Sequence, residues 1–483
     1  MSNMGGTKRA GRPSKACVML AAVLSTTACS TLNSVKETFL GGSTSASESR
    51  LTGFIGGVAA DEPRAALAGR EILALGGTAG DAAVAMAFTL AVTLPSRAGL
   101  GGGGACLAYN PSRDGPGRGN AEAILFLPTG PGTVPANTDR PAAVPTMARG
   151  LFALHARYGK RPFESLIAPA EQLARFGAPP SRALLRDLAV VAGPLLADPN
   201  ARAVFAPGGQ PLTEAGTLAQ NDLGATLAQL RTAGVGDLYQ GALARRLEEA
   251  SRLAGGGLTV DDMRATLPRT GAPLTVQAGS DNVAFLPPPA DGGLAAAAAF
   301  QVLRDNPANT GAAQARAVGV AARWRQGGGD PMALLASAPS GGALPALPAS
   351  TGFVVLDRDG MAVTCALTMN NLFGTGRIAP GTGILLAASP RAVTPPLLSA
   401  ALAWNSNLRG FRAAVAGSGQ EGAPLATAFA LNNALRSGAA MAGPAPEPGR
   451  AAAISCARYL PGPESGCTWA VDPRNAGLAA GSN

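Results

Sequence analysis

The sequence is short of the side chains that most often carry catalysis and recognition. It has one histidine, His155, in 483 residues. That excludes a metal centre built from several imidazoles. A Ser-His-Asp arrangement would have to use that residue. His155 lies in 148–158, which reads as a helix, and an exposed helical position is the simpler account. Aromatic residues make up 4% of the chain and only four lysines occur, at positions 8, 15, 36 and 160. The net charge of +9 is therefore mostly arginine. The arginines are scattered, and there are few rings to stack on bases, which argues against nucleic acid as a partner. No CxxC pair occurs, so zinc is unsupported.

Other absences set the class. Charged residues are 14% and hydrophobic residues 47%, which argues against disorder and for a sizeable core. Glycine (64) and proline (39) are abundant but follow no Gly-X-Y period, so the chain is not collagen-like. After the N-terminus no uninterrupted apolar run is long enough to cross a bilayer.

The N-terminus is informative. Lys8, Arg9, Arg12 and Lys15 precede an apolar run, 16–24, and then Ser25-Thr26-Thr27-Ala28-Cys29. This is the layout of an export signal over 1–29. Cys29 after Ala28 resembles a lipoprotein processing site, with Thr26 where a Leu is usual, so ordinary cleavage near Ala28 stays open. The expected location is the periplasm or cell envelope. A lipid on Cys29 would be the only membrane attachment. Residues 30–50 read as a tether.

Of the remaining cysteines, Cys106 and Cys365 lie in apolar, strand-like runs and read as small buried hydrophobes. Cys456 and Cys467 flank a short Pro/Gly loop and form a candidate disulfide in an oxidising compartment.

Along the chain, Asp61 and Pro63 suggest the start of a helix. A second, buried helix follows over 82–93. Gly99-Leu100-Gly101-Gly102-Gly103-Gly104 then precedes a strand. The letters fit a dinucleotide loop, but such a loop follows a strand and opens a helix. These glycines are better suited to close packing of helix on sheet. Residues 145–265 read as mainly helical. Residues 326–349 are rich in Gly, Ala, Pro and Ser and read as a linker. Beyond it, 352–356, the turn Asp357-Arg358-Asp359-Gly360 and 361–369 read as a β-hairpin. Grouped strands and helices suggest helices covering a layered, mostly antiparallel sheet.

Ser350 stands where the linker meets the hairpin. If the Ala349–Ser350 bond is cut, Ser350 becomes an N-terminus. Its hydroxyl can then act as nucleophile and its own α-amine as base, with no histidine needed.

Several segments resemble the gamma-glutamyltransferase family of N-terminal-nucleophile hydrolases. They include Gly69–Leu73 with Gly76-Gly77 and Asp81–Ala85, the glycine run 99–104, and Leu238–Gly241. Pro287–Pro289 with Gly292-Gly293, Phe373–Gly376, 380–386 and Asp472–Arg474 continue the pattern. The resemblance runs from about residue 53 to the C-terminus. It implies an α+β fold, a four-layer αββα sandwich of stacked antiparallel sheets covered by helices. It also implies a large-subunit-like region, 51–349, and a small-subunit-like region, 350–483. A small amide or gamma-glutamyl-like substrate is implied, with no cofactor or metal. Ser350 aligns with the nucleophile, Thr368 with a threonine near its amine, and Asn370 with a substrate-binding amide.

The departures lie in the substrate clamp. The family's carboxylate-binding Arg falls at Leu127. Its paired serines fall at Leu398 and Ser399. The Gln and Asp expected after Leu386 are missing from Ala387–Ala392. The Gly-Gly of the oxyanion hole falls at Gln420-Glu421, beside Gly417 and Gly419. Three readings follow: a self-cleaving gamma-glutamyl hydrolase or transferase, a scaffold with little catalysis, and an acylase of other specificity.

Overall fold

The computed structural model describes residues 50–135, 138–337, 339, 341–348, 350–443, 445–463 and 466–481. Residues 1–49, with Cys17 and Cys29, lie outside the described residues, and so does Ala349. Residues 50–483 form one compact unit.

Two antiparallel sheets make its centre. The first has seven strands in the order β15-β1-β7-β8-β2-β3-β4. These are Leu478–Gly481, Gly56–Ala60, Thr351–Asp357, Ala362–Thr368, Gly103–Tyr109, Ala121–Phe126 and Arg269–Gly271. The second has six, β14-β13-β12-β11-β6-β5. These are Cys467–Val471, Arg450–Leu460, Gly410–Ser418, Ser399–Asn405, Asp281–Phe285 and Leu274–Ala278. Both sheets draw strands from either side of residue 350.

The layering follows from the two-residue side-chain period of a strand. On β7, Val354 and Leu356 face the second sheet, in a core shared with Leu402, Ala414 and Ile454. Phe353 and Val355 face the other way, into a core with Val84, Phe88 and the helical block that follows. The second sheet's outer face, with Phe285, Ala403 and Val415, packs under helices Gly292–Asp305 and Ala423–Ser437. The result is helix, sheet, sheet, helix, and both faces of each sheet are buried.

Helix Ala79–Thr93 is buried at every residue, and its start is fixed by a reciprocal capping box between Thr78 and Asp81. The first helix, Pro63–Ala74, is capped by Glu62, whose carboxylate accepts from Ala65 N at 2.8 Å. Asp61, expected as the cap, is directed elsewhere. The stretch expected to be a featureless linker, 326–349, contains a helix, Pro331–Ser337.

Cys106 and Cys365 are not separate small hydrophobes. They lie opposite each other on β2 and β8 and are bonded. Burial and adjacency give the same sequence signal for either state. Cys456 and Cys467 are bonded across β13 and β14.

Candidate active site

Ser350 is 1% exposed and enters β7 directly. Thr351 pairs with Leu367 of β8, and one step further the register carries Ser350 opposite Thr368. Thr368 ends β8 and pairs on its other side with Gly103. Its hydroxyl oxygen accepts from the backbone N–H of Asn370 at 2.7 Å. Asn370 has φ +58°, a left-handed backbone uncommon for a non-glycine residue. Its side-chain amide donates to Pro128 O at 3.1 Å and Ala388 O at 3.0 Å.

The glycine run makes this geometry accessible. A Cβ at Gly102 would lie 2.3 Å from Thr368 O, and one at Gly103 would lie 2.2 Å from Phe126 O. Only bare backbone can pass there.

Asp61 is the site residue that sequence reasoning missed. Its Oδ2 accepts from Thr351 Oγ1 at 3.1 Å and Gly352 N at 3.3 Å. Its Oδ1 accepts from Asn475 Nδ2 at 2.5 Å. Burial pushes its pKa up, against the pull of nearby Arg97 and its hydrogen-bond donors. The Ser418 hydroxyl also favours the anion but makes no bond of good geometry. Arg97 is held by both oxygens of Asp187, each at 2.7 Å, and Ser96 donates to the same carboxylate. A buried network of charge thus fixes the strand one residue past Ser350. An acid after an otherwise apolar strand was the only signal, and it reads equally well as a helix cap.

Two cavities, each about 640 Å³, meet at Asn370, Val393 and Thr394. The first is lined by Thr368 and by mostly apolar side chains, among them Leu127, Trp324 and Leu398. The second is lined by Arg97, Arg186, Asp187, Gly419, Gln420 and residues 346–348, which lead toward Ser350.

Gly419 and Gln420 form the turn after β12, with φ +102° and +52°, just before helix Ala423–Ser437. A helix start leaves backbone N–H groups unpaired, which suits an oxyanion. The Glu421 backbone oxygen accepts from Gln314, and its side chain is half-buried. Gly417 and Ser399 are placed away from both cavities, under that helix. The Ser399 hydroxyl donates to Thr427 Oγ1 at 2.8 Å. A Cβ at Gly417 would lie 2.2 Å from the same oxygen. Of the two positions aligned with paired serines, the cavity receives Leu398.

His155 takes no part. Its Nε2 is 2.7 Å from Arg161 O and 3.6 Å from Asp81 Oδ1, and its side chain is 16% exposed, less open than expected. The residues after its helix turn back, with Lys160 N and Arg161 N donating to Asp81 and the Phe163 ring 5.2 Å from the imidazole. No group of three or more His, Cys, Asp or Glu residues suited to a metal occurs among the described residues.

A family model described as gamma-glutamyltranspeptidase matches residues 65–326, more than half of the sequence. This chain belongs to the gamma-glutamyltranspeptidase family. It is 28% identical over 385 residues to the glutathione hydrolase proenzyme of Escherichia coli, covering 68% of this chain and 65% of that protein. It is 33% identical over 230 residues to the acylase ACY 1 proenzyme of Pseudomonas sp. (strain SE83), covering 44% and 41%. The chain therefore spans less than two thirds of these relatives. The crystal structure of cephalosporin acylase from Bacillus halodurans superposes with a TM-score of 0.72 at 19% identity, covering 89% of this chain and 96% of that one. That likeness shows the fold, the αββα sandwich of the N-terminal-nucleophile hydrolases. Among the described residues no helix is long and apolar enough to cross a membrane.

Proposed function

We propose that this family member is an amide hydrolase or acyltransferase of the cell envelope that cuts its own Ala349–Ser350 bond and then uses Ser350 as nucleophile. The observation that carries the reading is the register of β7 and β8. It sets Ser350 opposite Thr368, and Thr368 lines a cavity together with Asn370.

The chemistry follows in two stages. In maturation the Ser350 hydroxyl adds to the carbonyl of residue 349, the C–N bond breaks, and an ester joins residue 349 to Ser350. That break frees the Ser350 α-amine, and water then hydrolyses the ester, which frees the hydroxyl and leaves residue 349 with a carboxylate. In turnover that amine takes the hydroxyl proton as Ser350 attacks a substrate amide. The tetrahedral oxyanion is held by backbone N–H groups of the Gly419–Glu421 turn. The leaving amine takes the proton. Water or a second amine then removes the acyl group.

Specificity is the second question. Leu127 and Leu398 supply no charge-assisted bond to a substrate carboxylate at their positions. This favours an acyl group other than gamma-glutamyl.

The test is denaturing electrophoresis under reducing conditions. Two fragments are expected, the second beginning at Ser350, and Ser350→Ala should leave one intact chain. One intact chain from both proteins would overturn the enzymatic reading and favour a binding protein on the same scaffold. Release of nitroaniline from a gamma-glutamyl anilide would then separate gamma-glutamyl from other specificity. For the envelope assignment, radiolabelled lipid should appear on the wild type and be lost in Cys29→Ala.

A further inference from the structure

We propose that the end of the two sheets opposite Ser350 rests on a membrane surface of anionic lipid headgroups, with the catalytic cleft turned away from the bilayer. The proposal goes beyond the reaction and rests on the reading of the protein as one of the cell envelope.

The placement follows from strand direction. β7 starts beside Ser350 and reaches the turn at Asp357–Gly360 after seven residues. At about 3.3 Å per residue that turn lies about 20 Å from the nucleophile. Other loops gather around it. A cavity of about 420 Å³ is lined by Asn110, Ser112, Lys160, Asp359 and Pro461. Arg409, between β11 and β12, donates to Pro111 O and Ser112 O. A Cβ on Gly360 would lie 2.4 Å from Leu460 O. The described chain also enters here. Strand β1 starts at Gly56, opposite Asp357, and Leu51 shares a small hollow with Lys160 and Arg358. Residues 1–49, read as export signal and tether, therefore join the fold at this end.

The surface of these loops is basic. Arg113, Arg118, Lys160, Arg358 and Arg458 are exposed. Arg113, Arg118, Lys160 and Arg458 make no ion pair among the described residues, and Arg358 reaches only its neighbour Asp359, at 3.8 Å. The exposed acids described on the same loops are Asp114 and Asp359. Asp357 is buried, and its carboxylate accepts from the N–H groups of Ala79, Asp359 and Met361. Leu408 stands in the turn between β11 and β12 and is 61% exposed. Cations around an apolar tip suit the boundary between headgroups and acyl chains. Single-stranded nucleic acid calls for rings on which bases can stack. Tyr109 and Tyr158 beside these loops are buried, and Tyr459 is held by Asp281.

The test is sedimentation with vesicles, using the full-length Cys29→Ala protein so that no lipid anchor contributes. The vesicles are phosphatidylcholine alone, or equal parts phosphatidylcholine and phosphatidylglycerol. The protein should bind the second kind at least about tenfold more strongly, and salt should release it. Arg113→Glu with Arg358→Glu should weaken that binding by about tenfold or more, because both reversals face the headgroups. Leu408→Ser should weaken it by about threefold. Arg202→Glu with Arg245→Glu makes the same change in charge at exposed positions outside these loops and should bind like the parent. The N-terminal lysines and arginines are the same in every variant, so a difference reports the loops. Melting temperatures equal to the parent's would show that lost binding is not lost folding. Equal binding to both kinds of vesicle would overturn the proposal. So would equal losses from the two arginine pairs, no loss from Arg113→Glu with Arg358→Glu, or tighter binding of a single-stranded oligonucleotide than of anionic vesicles. Whether the 349–350 bond is cut bears on none of these results. A wild type without radiolabelled lipid whose Cys29→Ala form still prefers anionic vesicles would sink the lipid anchor alone.

Discussion

The cleft has two walls, and they differ in what fixes them. The wall around Ser350 is set by backbone: the β7–β8 register, the left-handed turn at Asn370, and glycines that let a loop pass beside Thr368. The wall that would hold the substrate's far end is set by side chains, and there the chain carries Leu127, Leu398 and Ala392. Backbone geometry survives many substitutions, because most side chains leave it alone. A charged clamp does not, because one Arg-to-Leu change removes it. A chain can therefore keep a nucleophile site while its specificity drifts.

The sharpest way to break that picture acts on the catalytic wall as a whole. Cys106 lies before residue 350 and Cys365 after it, and they are bonded inside the sheet, each fully buried. The other bond, Cys456–Cys467, lies wholly after residue 350. Among the described residues, the first bond is then the one covalent tie between the two fragments of a cut chain. Denaturing electrophoresis without reductant should show one band, and with reductant two. Cys365→Ala should show two bands in both. Two wild-type bands without reductant would mean that the strands carrying Gly103 and Thr368 are held by hydrogen bonds only.

Asp61 is the next target. Asp61→Ala leaves Gly352 N and Thr351 Oγ1 without their acceptor in a buried place, and the half-buried Asn475 Nδ2 loses its acceptor too. Each such group costs about 1–3 kcal/mol. Self-cleavage should slow by at least about tenfold, because the strand that aims Ser350 loosens, while the circular dichroism of the folded protein should hold. Equal losses in both would mean a general loss of folding and no positioning role.

Much of the fold was legible, and the limits have physical causes. The hairpin around Asp357–Gly360 stood out because β7 and β8 are rich in Val, Phe and Leu beside a turn of Asp and Gly. Strands β1, β11 and β13 were not recognised. Strand β1 is Gly-Gly-Val-Ala-Ala, β11 opens on Ser-Ala-Ala-Leu-Ala and β13 on Arg-Ala-Ala-Ala, and alanine and glycine have little strand preference. Close packing between two sheets selects small residues there, and tertiary burial overrides local preference. Ser350 stood out as a candidate nucleophile because it sits at a change of texture in the chain. Asp61, the Cys106–Cys365 bond and the Arg325–Asp291 pair could not. Each depends on partners brought together by the fold, 290 residues apart for Asp61 and Thr351 and 259 for the cysteines. Ser399 shows the converse. Alignment assigned it to the substrate, and the fold directs its hydroxyl to Thr427.

A smaller effect is expected on the other wall. Leu127→Arg places a guanidinium where the resemblance puts one. L-glutamine affinity should rise by about tenfold and pentanamide affinity should fall, as charge enters an apolar lining. An unchanged L-glutamine affinity would mean that the missing ammonium partners, and not the missing Arg, limit binding. That outcome would place the whole difference between the walls at 387–392.

The smallest effect concerns protonation. Burial sets the Asp61 carboxyl above its ordinary value, and Arg97 and the donors from Ser418, Thr351 and Gly352 oppose it. The folded chain therefore holds that proton more tightly than the unfolded chain, whose aspartate titrates near about 3.9. The stabilisation is complete below that value and is lost as the pH rises through the folded pKa. Asp61→Asn has no ionisation to lose. Its melting temperature should gain on that of the wild type as the pH is raised from about 4 toward about 8. A constant gap would mean that Asp61 titrates alike in both states. A gap moving the other way would mean that Arg97 and the donors outweigh burial. Asp61 would then be a carboxylate held in place by charge, and the catalytic wall, like its partner, would depend on a side chain that one substitution can remove.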